Sequence, residues 1–180
     1  MTKKTKHLSG KKVRRCLMKK HEKEIYLDTL QKYDDYNCFE MPKEYKEYDN
    51  RFTKDRESFK LALEKLTNLS LAYIFVQDAS YSGRLVNKDT NQLVMSLRFS
   101  NFGRLVTLHS RYSMENKRYL VDFKDMPFTE NELVNLLEQH NFKYVPLDIL
   151  YLPYDGVNAN LPHLKNLDDY SWWHRYFEHT

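Results

Sequence analysis

Residues 71–77 (LAYIFVQ), 92–99 (QLVMSLRF) and 104–110 (RLVTLHS) decide the fold of this chain. Each is a strand-length run of aliphatic, β-branched and aromatic residues. The shorter runs 83–87 (GRLVN) and 117–123 (KRYLVDF) belong to the same series. Between them stand NKDTN (87–91), SNFG (100–103) and SMEN (113–116), all short and rich in turn-forming residues. Links this short join antiparallel neighbours, because a parallel pair needs a crossover of a dozen or more residues. The reading is therefore a meander of about five antiparallel strands. A further strand is expected at 142–147 (FKYVPL), placed at an edge because Pro146 interrupts it.

Helices are expected on either side of this block in sequence. Residues 53–68 place Phe59, Ala62, Leu63 and Leu66 at i, i+3, i+4 and i+7, one face of a helix, with Asn68 as its stop. Residues 11–34 lack Gly and Pro and predict a helix, although only its second half (Tyr26, Leu27, Leu30, Tyr33) carries an apolar stripe. Residues 35–52 contain Pro42 and show no period, so they read as an irregular connection. Thr129-Glu130-Asn131-Glu132 matches a capping box, flanked by Phe128 and Leu133 in staple positions. It predicts a helix to about residue 140 that buries Leu133, Leu136, Leu137 and His140. After a loop through Pro153, Asp155-Gly156 and Pro162, Asp168 is positioned to cap a short last helix, DDYSWWHRYFEH. On that helix Trp172 and Tyr176 share one face, and Trp173 and Phe177 the next. This helix is expected to close the core, with Arg175 reaching a carboxylate. The architecture is α+β: one domain over 25–180, an antiparallel sheet with helices packed on one face, preceded by a basic segment over 1–24.

Charge divides the chain the same way. Residues 1–24 hold ten Lys or Arg against Glu22 and Glu24, a net +8, whereas the whole chain is only +4. The body is therefore acidic, and it is unusually aromatic, with 14 Tyr, 10 Phe and 2 Trp in 180 residues. Within it, Asp34, Asp35, Glu40, Glu44, Glu47 and Asp49 face only Lys43 and Lys46, with Tyr36, Phe39, Tyr45 and Tyr48 interleaved. Such a surface suits a basic protein partner, since complementary charge speeds encounter and rings anchor the contact. The same residues would also serve as a solvated loop whose rings pack back on the sheet.

Catalytic and cofactor motifs are not found in the sequence. There is no G-x-S-x-G, no G-x-G-x-x-G and no Walker-type lysine among four scattered glycines. His174 and His179 are five apart, off the i+3 or i+4 spacing of a helix face, and Cys16 and Cys38 have no zinc-type spacing. No metal, cofactor or catalytic residue is assigned on this reading. A site assembled from distant histidines such as His109, His140 or His163 would require them to converge in space. Two cysteines without a secretory signal or an apolar membrane-length run fit a reducing cytoplasm.

The ending Trp-Trp-x-Arg-Tyr-Phe (172–177), following the turn-linked QLVMSLRFSNFGRLVTLHS (92–110), resembles small cytoplasmic immunity proteins of bacterial toxin loci. The resemblance does not include the basic segment. It implies a non-enzymatic antitoxin that neutralises a cognate toxin by stoichiometric binding, without cofactor. The residues expected to bind the partner are Asp34, Asp35, Tyr36, Glu44, Tyr45, Glu47, Tyr48 and Asp49. The alternative is a nucleic-acid-associated regulator using Lys11, Lys12, Arg14, Arg15, Lys19 and Lys20, whose charges would neutralise phosphates with steep salt dependence.

Overall fold

A computed structural model describes residues 20–34, 45–76, 80–100, 104–124, 126–156, 159 and 170–177. Two helices open it, α1 (Lys20–Tyr33) and α2 (Tyr45–Leu66). Strands β1 (Leu69–Val76), β2 (Ser80–Asn87), β3 (Leu93–Ser100) and β4 (Leu105–His109) follow as an antiparallel meander. Then come a small ribbon, β5 (Arg111–Ser113) with β6 (Arg118–Leu120), and helix α3 (Glu130–Gln139). Strand β7 (Lys143–Tyr144) and the short helices α4 (Leu147–Leu150) and α5 (Trp172–Phe177) complete the order. The α+β architecture expected from the sequence is what forms.

Three expectations need correction. The run 117–123 does not give a fifth meander strand, because the chain leaves the sheet after His109 and Ser110 N–H donates to Leu120 C=O (2.8 Å), closing the separate ribbon. The fifth strand of the sheet is β7, which pairs parallel to β4 at the edge of the order β1-β2-β3-β4-β7. The ribbon and α3 supply the crossover that a parallel pair requires. Pro146 ends that strand as expected, and its extended backbone (φ −61°, ψ 147°) serves as the N-cap position of α4.

Secondly, residues 45–52 are helical rather than irregular. Neither Gly nor Pro occurs between Pro42 and Gly83, and a helix once nucleated over 53–66 extends through residues that do not oppose it. Thirdly, helices cover both faces of the sheet. Along β4 all five residues are buried, with Val106 and Leu108 turned to one core and Leu105 to another. The first core joins Leu71, Leu85, Leu97 and Phe99 of the sheet to Phe59 and Leu63 of α2 and Leu133 and Leu137 of α3. The second joins Leu30 of α1 and the apolar side of α4 to Trp172, Trp173, Tyr176 and Phe177 of α5.

The capping box at Thr129 forms in full: Glu132 N–H donates to Thr129 Oγ1, and Thr129 N–H donates to the Glu132 carboxylate (2.7 Å). Those bonds hold the Glu132 carboxyl below its ordinary pKa, the Thr129 backbone N–H contributing most. His140, expected in the core, is only half-buried at the C-cap, edge-on to Phe59.

Candidate partner-binding site

The site starts from a buried ion pair. Asp34 ends the first helix, and Arg175 lies on α5; Arg175 Nε donates to Asp34 Oδ1 at 2.7 Å with side-chain exposures of 1 % and 0 %. Arg175 Nη2 also donates to the Asp34 carbonyl (3.2 Å), and Tyr154 Oη donates to Asp34 Oδ2 (2.6 Å). A buried charge needs both a counter-charge and hydrogen bonds on its remaining lone pairs, and Asp34 has them. Arg175 therefore does reach a carboxylate, as its place on a core-closing helix suggests.

The rest of α5 tightens the same corner. Trp172 stacks on Tyr176 (8° between planes) and Trp173 on Phe177, the two faces expected from helical spacing. Tyr176 Oη donates to Leu30 C=O (2.6 Å), tying α5 to α1. Ser100 Oγ and Ser80 Oγ donate to the carbonyls of Tyr176 and Phe177, which satisfies acceptors that a helix C-terminus leaves open.

Asp34 is therefore corrected as a partner contact: it is wholly buried, not part of an exposed acidic surface. Counting charges along the sequence cannot distinguish it from Asp35, because its partner lies 141 positions away. Tyr45, Glu47, Tyr48 and Asp49 fall within the first two turns of α2. Asp35, Tyr36 and Glu44 lie outside the described residues, as do Lys11, Lys12, Arg14, Arg15 and Lys19; Lys20 opens α1. Asp168, expected to cap the last helix, also lies outside them.

No protein-family model, curated protein or solved structure matches this chain. The site must be judged on its own geometry. Among the described residues, no helix is long and apolar enough to cross a membrane.

Among the described residues the histidines do not assemble as a shared site. His140 meets Phe59 in the first core, whereas His109 points to the opposite face of the sheet with Thr107 and Leu105. His163 lies outside the described residues. His174 Nδ1 accepts from Ser171 N–H (3.1 Å), so its role is at the start of α5.

That opposite face holds a feature the sequence reading passed over. Cross-strand register sets Ser82, Arg98 and Thr107 in one row and Arg84, Ser96 and His109 in the next. Serine, threonine and arginine alternating with core residues on central strands is the signal that would have found it. Burial and the neighbouring Arg98 push the His109 imidazole down from 6.5 to about 4. Tyr119 (4.3 Å between ring centroids) and Trp173 (6.5 Å) wall its ring.

Proposed function

We propose that this chain is a non-enzymatic binding protein of the immunity type, which neutralises a basic protein partner by stoichiometric capture on residues 35–49. The observation that carries this reading is how the ends of that segment are held. Asp34 is clamped by Arg175 and Tyr154 at one end, and at the other Tyr45 begins a helix that runs into the first core. A recognition segment strung between two rigid elements gives up less conformational freedom on binding than a free tail does.

Its chemistry fits the partner class. With Asp34 committed to Arg175, residues 35–49 hold five carboxylates against two lysines, a net −3, with Tyr36, Tyr45 and Tyr48 among them. Carboxylates raise the encounter rate with a basic surface, and tyrosines supply buried area at small entropic cost. In the Trp-Trp-x-Arg-Tyr-Phe stretch that carries the resemblance, Trp172, Trp173, Arg175, Tyr176 and Phe177 are buried, so it anchors the segment rather than touching a partner. A reducing cytoplasm belongs to the same reading.

The test is recovery of the tagged full-length protein from its native host at moderate salt, with nuclease treatment of the eluate. One protein at stoichiometric yield is expected to survive the nuclease. It should be lost from the triple variant Glu44→Lys, Glu47→Lys, Asp49→Lys, whose unfolding midpoint stays at the wild-type value. Undiminished recovery with the variant removes the site. Recovery of nucleic acid alone overturns the reading and moves the function to residues 11–20.

A further inference from the structure

The opposite face of the central strands is not built like a packing surface. Thr107 is fully buried and His109 is 8 % exposed, yet among the described residues neither Thr107 Oγ1 nor His109 Nε2 has a hydrogen-bond partner. Arg98 Nε on the adjacent strand is likewise enclosed without one. Arg98 and Thr107 are direct cross-strand partners, and His109 is two residues along β4 from Thr107, on the same face. Side chains so related lie about 5 Å to 8 Å apart at Cβ.

Leaving one buried polar group unpaired is costly, and native proteins seldom leave several together without a reason. Here three such groups share a face, and all can donate: a guanidinium N–H, a hydroxyl, and Nε2–H in one imidazole tautomer. No carboxylate occurs in either row to accept from them. Along the second row Arg84 on β2 is exposed, whereas Ser96 and His109 are both buried, at 8 % each. That row sets an exposed guanidinium in line with the buried donors.

We infer that Arg98, Thr107 and His109 form a binding site for a small oxyanion, a phosphoryl or carboxylate group. Guanidinium N–H groups match the oxygens of either anion in geometry and charge. Tyr119 and Trp173, packed around the His109 ring, bound the site on its α5 side.

The experiment titrates the full chain with inorganic phosphate and, separately, with acetate. Binding is read from the Arg98 Nε–H and His109 ring resonances, because the basic segment will attract anions of its own. A saturable shift of both signals is expected with one of the two anions, and the tighter one identifies the group recognised. Arg98→Gln should abolish the His109 shift, and the isosteric Thr107→Val should weaken binding about tenfold. If Arg98→Gln does not fold, Thr107→Val decides alone. Signals that do not saturate with either anion overturn the inference, as does affinity unchanged in Thr107→Val.

Discussion

Arg175 Nε lies 2.7 Å from Asp34 Oδ1 across 141 positions of sequence, with both side chains out of water. A pair of this kind is asymmetric in its energetics. Removing one partner strands the other charge in a medium of low dielectric, whereas removing both leaves only a packing problem. Asp34→Asn and Arg175→Met should therefore each lower stability by about 3–5 kcal/mol. The double variant Asp34→Leu, Arg175→Met should recover much of that loss. Urea midpoints of the four proteins measure it, and a single variant costing under about 1 kcal/mol would sink the argument.

Gly156 is the second guard of the same pair. A Cβ built there would run into the Asp34 carboxylate and sit 2.6 Å from Tyr154 Cε2. Both neighbours are committed to each other by the Tyr154–Asp34 hydrogen bond, so neither can give way cheaply. Gly156→Ala should cost about 1–3 kcal/mol by overpacking, although alanine is otherwise the mildest replacement. In Asp34→Gly the same alanine has its main obstacle removed. The two effects should then be strongly non-additive, which a double-mutant cycle reads directly.

His109 makes stability depend on pH. Its folded pKa is lowered to about 4, burial contributing most and Arg98 next, whereas an unfolded histidine titrates near 6.5. The unfolded chain thus takes up a proton that the folded one refuses between these values. The stabilisation is complete above about pH 6.5 and is lost as pH falls toward 4. Between pH 7.5 and 5 the loss should be about 2 kcal/mol. Arg98 on the same face opposes protonation, and no carboxylate in the two rows favours it. In His109→Gln the slope over this window should shrink, and parallel curves for the two proteins would show that other groups carry it.

The sequence disclosed what is local and concealed what is not. Strands β1 to β4 were legible because each is an apolar run closed by short turns, and their order follows from those turns. The pairings of Trp172 with Tyr176 and Trp173 with Phe177 were legible because helical spacing is fixed. Asp34 was misplaced on a surface because composition ranks a residue by its neighbours in the chain, and Arg175 is not one of them. Strand β7 was expected at an edge but not in parallel register, since nothing in a two-residue pairing states which way its partner runs. The polar rows under α5 escaped notice because register, not sequence, aligns Arg98 with Thr107.

Thr129 offers a test in which local reading and structure agree, so its effect should be confined to one helix end. Its hydroxyl accepts from Glu132 N–H (3.3 Å), and its own N–H donates to the Glu132 carboxylate. Thr129→Ala removes the first bond and should cost about 1 kcal/mol, whereas Thr129→Ser should be nearly neutral. The helix that depends on this cap carries Leu133 and Leu137 into the first core, and its Glu130 accepts from Tyr144 Oη (2.7 Å) on β7. Hydrogen exchange in Thr129→Ala should therefore quicken along α3 and β7 before it does so in β1 to β3. Exchange that rises uniformly would mean that the cap fails only when the whole domain opens.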